Sequence, residues 1–355
     1  MAFRILAINP GSTSTKIAVY ENKDELWRQN IEHSDEELGR SEKIGDQMLL
    51  RRDAVQKALR ANNQPASGLS AIVGRGGMLP PVQAGGYVVN DCMRKRLQES
   101  EIGFHASNLG ALVADELARP LRISAYIYDA VSADEMYEIA HITGMPEVIR
   151  QSFCHVLNAK ATARKVAESQ GRWYEDMNFI VAHMGGGISI SAHEKGRIVD
   201  VITDDAGPFS PERSGSIPLR NIVAMCYSGE YNRKEMLRKL RGMGGIKAHL
   251  GVHDCREVEK MIKAGDEWAK KIYEAQAYQI AKGIGELAPV LSGKVDTIIL
   301  TGGVAYSEML TGMVKSRVEF IAPVNITPGE NELESLALGA LRILQGEEQA
   351  HEYRE

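Results

Sequence analysis

Short apolar runs that end in small polar residues or glycine divide this chain into strand-like segments. The first run, 3–8, ends at Asn9, and the alternating segment 16–20 predicts a strand that returns beside it. Similar patterns predict further strands at 70–73, 123–128, 178–183, 188–192, 198–202 and 296–300. Helical spacing of apolar residues predicts helices at 46–61, 107–119, 133–141 and 332–345, and a long helical region at 254–292 broken by Gly265, Gly283 and Gly285. Strands and helices in this order are typical of an α/β fold.

One of these patterns occurs twice. Gly11 and Gly187 each lie in a glycine loop between two predicted strands, and they are 176 residues apart in a chain of 355. A strand–glycine loop–strand unit that returns after half the chain predicts a duplicated fold. A chance match of two hairpins in a glycine-rich chain is the alternative interpretation.

Composition narrows the class of protein. Apolar residues make up 44% and charged residues 25% of the chain, as in ordinary soluble globular proteins. The net charge is −5, no dense block of Lys and Arg occurs, and aromatic residues are only 6%, so nucleic acid is not an expected partner. No apolar stretch approaches the roughly 18 residues of a membrane span, which predicts no membrane insertion.

The cysteines and the N-terminus bear on the compartment. Four cysteines (Cys92, Cys154, Cys226 and Cys255) are scattered without a C-x-x-C spacing. The first apolar run is too short for a signal peptide and has no cleavage site. We therefore expect free thiols in a reducing cytoplasm.

The 34 glycines cluster at loops suited to phosphate. Backbone N–H groups of the loops 9–14 and 184–187 could cradle phosphate oxygens, and a further glycine pair occurs at 302–303. No G-x-x-x-x-G-K-[ST] motif is present, and the G-x-G-x-x-A match at 283–288 lies inside a predicted helix rather than after a strand. Three such loops, with a strand between them that ends on Asp129, favour a two-lobed phosphotransferase.

Specific motifs, spread over nearly the whole chain, carry a resemblance to a known family. They are Asn-Pro-Gly-Ser-Thr-Ser-Thr-Lys at 9–16, Gly-Arg-Gly-Gly at 74–77, His-Ala-Ser-Asn-Leu-Gly at 105–110, Tyr-Asp-Ala at 128–130, His155 with Asn158 and Lys160, His-Met-Gly-Gly-Gly at 183–187, Pro-Glu-Arg-Ser-Gly at 211–215, Thr-Gly-Gly at 301–303 and Pro-Gly-Glu-Asn-Glu at 328–332. With these motifs the chain resembles the butyrate kinases of the acetate kinase family, in the superfamily that also holds hexokinases, actin and Hsp70.

The resemblance implies an architecture. It predicts two duplicated ribonuclease H-like domains of the actin-like ATPase fold, with a nucleotide cleft between them. The first domain would comprise 1–150 and be completed by a C-terminal helix at 335–355, and the second would comprise 151–334. The family also implies a homodimer or a higher homo-oligomer.

The resemblance further implies a reaction: reversible transfer of the γ-phosphoryl group of ATP to a short-chain carboxylate, giving an acyl phosphate. ATP and Mg²⁺ are the implied cofactors. A carboxylic acid with a pKa of about 4–5 is already ionised at neutral pH, so the reaction requires no general base. An acetate or propionate kinase on the same scaffold, and an ATP-driven conformational protein like Hsp70 or actin, are the alternatives.

Catalytic roles follow from the matches to family motifs. Arg213 is expected to stabilise charge on the transferring phosphoryl group, because a guanidinium binds phosphate in a bidentate manner. Asp129 is expected to hold Mg²⁺ through water or to orient the phosphoryl group, with a helix N-cap as the alternative. His155 is expected to donate to the phosphoryl group, or else to be a core histidine. Arg75 is expected to bind the substrate carboxylate, or else to support its turn.

The remaining site residues concern nucleotide and metal. The predicted nucleotide and phosphate contacts are Ser12, Ser14, Lys16, His183, Gly185, Gly186, Gly187, Gly302 and Gly303. Asn9 and Glu332 are the predicted Mg²⁺ ligands, with Glu334 as the alternative to Glu332. These oxygen donors suit Mg²⁺, which takes few protein ligands and keeps several waters.

Overall fold

The computed structural model describes residues 2–39, 44–99 and 106–354, so His105 of the motif at 105–110 lies outside the described residues. The chain divides into two compact units, of which unit 1 is Met1–Asp134 with Asn331–Glu355 and unit 2 is Glu135–Glu330. The expected domain boundary at 150/151 therefore lies inside unit 2. Segment 135–150 belongs to unit 2 because its backbone bonds there: Tyr137 N–H donates to Val199 O at 3.0 Å.

Unit 1 contains seven strands and five α-helices among its described residues. The strands are β1 (Arg4–Pro10), β2 (Ser14–Glu21), β3 (Asp24–Glu32), β4 (Ala71–Arg75), β5 (Gly86–Val88), β6 (Ser124–Tyr128) and, after unit 2 in the chain, β12 (His351–Glu352). The helices are α1 (Asp35–Gly39), α2 (Ile44–Ala61), α3 (Asp91–Gln98), α4 (Asn108–Ala118) and α12 (Glu332–Gln345).

The sheet of unit 1 has the strand order β12-β5-β6-β4-β1-β2-β3. Strands β1, β4 and β6 are parallel neighbours, whereas β2 and β3 are antiparallel additions at one side. Helix α4 packs with Ile127 of β6 in one apolar cluster, while Gly339 of α12 lies against the ring of Tyr128. Because consecutive strand residues point to opposite faces, the two helices cover opposite faces of the sheet. This explains the fully buried run 5–8 of β1.

Unit 2 contains the second sheet. Its strands are β7 (Asn178–Met184), β8 (Ile188–Glu194), β9 (Arg197–Ile202), β10 (Thr297–Gly302) and β11 (Val324–Pro328). Its helices are α5 (Val156–Ser169), α6 (Leu219–Cys226), α7 (Arg233–Leu240), α8 (Gly245–Leu250), α9 (Cys255–Lys263), α10 (Glu267–Leu287) and α11 (Glu308–Val318).

The sheet of unit 2 has the order β11-β10-β7-β8-β9 and repeats the plan of unit 1. Strand β7 is parallel to β10 and antiparallel to β8, as β1 is parallel to β4 and antiparallel to β2. Even the irregularity matches, since the ladder shifts at Val19/Tyr20 in β2 and at Ala192/His193 in β8. The predicted duplication is therefore confirmed at the level of strand order and register.

Two predicted helical features are wrong. Segment 133–141 holds only a 3₁₀ turn at Glu138–His141, because the backbone before it bonds to other segments: Asp134 N–H donates to Val82 O at 2.8 Å. Gly283 and Gly285 do not break the 254–292 region, since both lie within the continuous helix α10. A Cβ at Gly283 would come within 2.5 Å of Ile190 Cδ1, so this glycine lets the helix approach β8.

Several elements lack a local signal. Strand β3 has no buried residue: Trp27, Gln29 and Ile31 are half-buried and its other residues are exposed, so no apolar run marks it. Helices α3 and α7 begin at asparagine N-caps, Asn90 and Asn232, but have only two and one buried residues respectively.

Among the described residues, no helix has the length and apolar character needed to cross a membrane.

His193, on β8, is fully buried and hydrogen-bonded at both ring nitrogens. Tyr174 Oη lies 2.8 Å from Nδ1 and Ser191 Oγ lies 2.8 Å from Nε2. Burial, with smaller contributions from the charges of Lys160 and Arg164, lowers the pKa of His193 to about 3. The imidazole is therefore neutral in the folded protein at neutral pH, whereas in the unfolded chain it titrates near pH 6.5.

This difference predicts a pH-dependent stability. Between about pH 6.5 and 3 the unfolded chain binds a proton at His193 that the folded chain does not, so acid favours unfolding. The unfolding free energy should fall with decreasing pH in this window, with a contribution from His193 of up to about 1.4 kcal/mol per pH unit. Urea titrations of wild type and His193→Gln at pH 5 and 7 measure the contribution of His193 to the pH dependence of the unfolding free energy. An equal pH dependence in both proteins would contradict the prediction, and the exposed His253→Gln serves as control.

Candidate active site

The polar residues predicted in unit 1 meet at one edge of its sheet. Asn9 lies near the end of β1, Arg75 ends β4, and Asp129 directly follows β6. These three strands are parallel neighbours, so their carboxyl ends share an edge, which is where α/β sheets bind ligands. Lys16 is paired with Asn9 across the β1–β2 ladder, which places it on the same face of the sheet.

Asn9, Arg75 and Glu332 form one contact group. The Asn9 amide Nδ2 donates to Glu332 Oε2, and Arg75 Nη1 lies 2.8 Å from Glu332 Oε1. Asn9 and Glu332 are both buried, being 5% and 8% exposed, so the carboxylate is stabilised by these donors rather than by water. Glu334 lies two residues further along the same helix, and side chains at that spacing point in different directions.

This contact group fits a hard cation. The amide nitrogen of Asn9 contacts Glu332, but the amide oxygen Oδ1 is buried and has no hydrogen-bond partner among the described residues. Buried polar oxygens are rarely left without a partner. An amide oxygen beside a carboxylate is a ligand set that suits Mg²⁺, which prefers oxygen and keeps several waters.

Asp129 is held in an uncommon backbone conformation. Its φ is +43°, in the left-handed region that residues other than glycine adopt rarely. Gly85 fixes it twice, since Gly85 N–H donates to Asp129 Oδ1 at 2.9 Å and Asp129 N–H donates to Gly85 O at 3.0 Å. A buried aspartate that is fixed at both backbone and side chain has a defined direction at the sheet edge.

A buried arginine that the sequence did not single out supports the loop after β1. Arg51 of α2 is fully buried, and its guanidinium donates to Ser14 O at 2.7 Å, to Thr15 Oγ1 at 2.8 Å and to Ser12 O at 3.1 Å. His33 Nε2 lies 2.8 Å from Thr15 Oγ1 on the other side. Burial lowers the pKa of Arg51. An arginine in an amphipathic helix gives no sequence signal of such a role, because most helical arginines are solvated.

Arg51→Met should destabilise unit 1. It removes three hydrogen bonds that a fully buried charged group donates, at an expected cost on the order of 3 kcal/mol. The measurement is the urea dependence of unfolding. Arg52→Met is the matched control: Arg52 lies next along α2 but is partly exposed and pairs with Asp53 and Glu116, so its loss should cost less than about 1 kcal/mol. Equal destabilisation by the two variants would contradict this account of Arg51.

In unit 2, the predicted histidines meet at the equivalent sheet edge. His183 occupies the position near the end of β7 that Asn9 occupies near the end of β1. The ring of His155, at the start of α5, stacks on the ring of His183 with centroids 4.1 Å apart. His183 Nδ1 lies 3.0 Å from Asn158 Nδ2, and the same amide nitrogen lies 3.2 Å from Thr301 Oγ1. The other ring nitrogen of His183, Nε2, lies 3.1 Å from Glu330 Oε1. Asn158 therefore orients the ring of His183.

Arg213 lies across the glycine loop. A Cβ built on Gly187 would be 2.2 Å from Arg213 Nη1 and 2.6 Å from Cζ, so only glycine leaves space for the guanidinium in this position. Arg213 Nη1 also contacts the Asp204 carboxylate, which fixes the direction of the side chain. Ser210 joins the same loops, because its hydroxyl donates to Gly186 O at 2.6 Å and accepts from Arg213 N–H at 3.2 Å. Neither Asp204 nor Ser210 was predicted from the sequence.

The other predicted nucleotide glycines divide into two kinds. Gly302 has a φ of +91°, and a Cβ there would come within 2.4 Å of Met184 O, so the close approach of β10 to β7 requires glycine. At Gly186 and Gly303 a Cβ would meet no atom within 4 Å. These two glycines are therefore not required by packing inside unit 2, and an open backbone at a strand end is available to a ligand.

Comparison with known proteins assigns the chain to a protein family. The acetokinase family profile matches residues 130–331. A protein named probable butyrate kinase from Clostridium botulinum strain Alaska E43 (type E3) is 48% identical over 355 residues, covering 99% of this chain and 100% of that protein. This chain belongs to the acetokinase family. The family resemblance of the motifs is thereby confirmed.

Solved acetokinase-like structures agree on the fold. The acetate kinase of Porphyromonas gingivalis matches with a TM-score of 0.81 and 20% identity, covering 96% of this chain and 100% of that chain. The acetate kinase of Entamoeba histolytica matches with a TM-score of 0.78 and 15% identity, covering 95% and 98% respectively. The expected actin-like ATPase fold is confirmed by these acetokinase-fold neighbours together with the repeated sheet plan.

Proposed function

We propose that the protein is a carboxylate kinase that transfers the γ-phosphoryl group of ATP to a short-chain carboxylate, with butyrate or a branched relative as acceptor. The observation that carries the proposal is the near full-length similarity, at 48% identity, to a protein named probable butyrate kinase. An acetate or propionate kinase is the second candidate, because solved neighbours bear those names.

The chemistry of this reaction agrees with the side chains at the two sheet edges. The acceptor is an anion that needs no base, so the task is to bring two anions together and to stabilise charge on the transferring oxygens. Arg213, held by Asp204 over the Gly185–Gly187 loop, is the residue we assign to that charge. His155 and His183 are assigned to the phosphate groups, and Asp129 to orienting the phosphoryl group or to Mg²⁺ through water.

The remaining roles concern substrate and metal. Arg75 is assigned to the substrate carboxylate, and its ion pair with Glu332 supports an affinity for carboxylates at this position. Asn9 and Glu332 would hold Mg²⁺, which would neutralise phosphate charge. Ser12, Ser14, Lys16, Gly186, Gly302 and Gly303 are assigned to ATP.

Hydroxamate trapping of the acyl phosphate tests the proposal. The protein is supplied with ATP, Mg²⁺ and one of butyrate, isobutyrate, propionate or acetate, and the rate of hydroxamate formation is compared among the acids. The highest kcat/KM should be found with butyrate or isobutyrate. Highest kcat/KM with acetate or propionate would favour the second candidate. Turnover of ATP without acyl phosphate for any acid would contradict both candidates and favour an ATP-driven conformational protein.

A further inference from the structure

Three side chains of unit 2 form a cluster with the character of a transition-metal site. His155, His183 and Glu330 each offer one ligand atom, and these atoms all lie within 4.8 Å of one another. Two imidazole nitrogens and one carboxylate oxygen are typical ligands of Zn²⁺ and of Co²⁺. They are unlike the oxygen pair Asn9 and Glu332, which suits Mg²⁺.

Part of the required geometry is already present. Ligand bonds of about 2.0–2.2 Å in a tetrahedral zinc site place neighbouring ligand atoms somewhat more than 3 Å apart. His183 Nε2 and Glu330 Oε1 are 3.1 Å apart, so this edge of the tetrahedron needs little adjustment. His155 is held beside them by its stacking on the His183 ring. The two rings lie only 21° from parallel, so both histidines can bind one ion only after the His155 ring turns out of this stack.

The surroundings of His183 also suit a metal ligand. Metal-bound histidines nearly always use their second ring nitrogen in a hydrogen bond that fixes the ring. In the structure the Asn158 amide nitrogen lies 3.0 Å from Nδ1 of His183, so the second ring nitrogen has a hydrogen-bond partner, but one that donates. A metal at Nε2 requires the proton on Nδ1, and the Asn158 amide provides for it when it turns its oxygen toward that nitrogen. The Nε2 proton then passes to solvent while a proton from solvent binds Nδ1, so the exchange of tautomers leaves the charge of the ring unchanged.

We propose that His155, His183 and Glu330 bind a divalent cation of the Zn²⁺ class, and that the bound cation inhibits the enzyme. Glu330 adds a carboxylate to the two histidines, and a carboxylate attracts a cation. A cation bound to both histidines withholds their ring nitrogens from phosphate. Only the inhibition rests on the proposed function; the binding of the cation does not.

Cobalt titration tests the binding directly. Co²⁺ is added to the metal-free protein, and its visible absorption reports tetrahedral coordination. We expect saturation at one ion per chain, and an affinity lower by at least about tenfold in Glu330→Gln, because loss of even an outer-shell partner costs about 10–100-fold and Glu330 is itself a ligand. Glu319→Gln, at an exposed glutamate of unit 2, is the matched control and should bind as wild type does. An octahedral spectrum, or equal affinity in Glu330→Gln and wild type, would overturn the proposed site.

Inhibition is measured separately, with free Zn²⁺ held by a metal buffer at constant MgATP. We expect Zn²⁺ to inhibit wild type, EDTA to reverse the inhibition, and Glu330→Gln to require about tenfold more Zn²⁺ for half-inhibition, with each rate divided by the same protein's own rate in Mg²⁺ alone. Equal sensitivity of the two proteins would overturn the inhibitory role. If no acid is phosphorylated even without Zn²⁺, the proposed function fails, while the cobalt spectrum still decides whether the site exists.

Discussion

Arg213→Ala should lower kcat of the proposed phosphoryl transfer by at least about 10³-fold, while the protein stays folded. An arginine that stabilises the charge of a transferring phosphoryl group typically contributes 10³–10⁵ in kcat. In unit 2 the guanidinium lies over Gly187 and is fixed by Asp204, so its direction is set before any ligand binds. Arg213→Lys should recover little, because an ammonium cannot bind in the planar bidentate manner.

The measurement is the rate of acyl phosphate formation at saturating ATP and acid, with circular dichroism as the check on folding. Arg241→Ala is the matched control, because Arg241 pairs with Arg213 through the backbone but is exposed. It should retain nearly normal turnover. Near-normal turnover of a folded Arg213→Ala protein would remove Arg213 from its assigned role.

Gly187→Ala should lower kcat by about 10²-fold with little change in stability. The new methyl group would lie 2.2 Å from Arg213 Nη1, so the guanidinium must move, and a displacement of about 1 Å in a catalytic group can cost this much. Gly187 does not have a positive φ, so alanine forces no left-handed backbone conformation there. The end of a long side chain yields more easily than a backbone, which is why the fold should persist.

A double-mutant cycle separates two causes of the loss. If Gly187→Ala acts by moving Arg213, it should have little further effect in an Arg213→Ala background. A full additional loss in that background would instead assign the effect to contacts between the loop and the nucleotide. Gly285→Ala is the control for a glycine-to-alanine change as such, since a Cβ at Gly285 in α10 would meet no atom within 4 Å. It should leave kcat unchanged and stabilise the helix by about 0.5–1 kcal/mol.

The elements that were predicted well from the sequence are those with continuous apolar burial. Strand β1 and strand β7 are buried from their second residue to their last, so an uninterrupted apolar run marks them. Helix α12 has the predicted bounds 332–345, and it ends at Gly346, which takes the left-handed conformation that ends many helices. Segment 133–141 failed for the opposite reason: its apolar residues have helical spacing, but Ile139 is 77% exposed and the backbone bonds to distant segments.

The sequence by itself determined the repeated strand plan and the chemical types at the strand ends. Apolar periodicity indicates which faces of strands and helices are buried. Glycine-rich loops indicate where a side chain would prevent the backbone from approaching a ligand or another segment closely. Together with the family motifs, these patterns were enough to select Asn9, Arg213 and the loop Gly185–Gly187 as candidate site residues. The sequence pattern does not indicate which residues contact these candidates.

Only the tertiary structure decided which side chains contact these candidate site residues. Asn9 and Glu332 are 323 positions apart, and they meet because α12 packs back on β1. Asp204 beside Arg213, Asn158 beside His183 and Arg51 beneath the Ser12–Thr15 loop are likewise invisible in the pattern. The physical reason is that periodicity reports burial of a face, whereas a hydrogen bond or an ion pair depends on distance and direction between elements, which are set only when the sheets and helices pack.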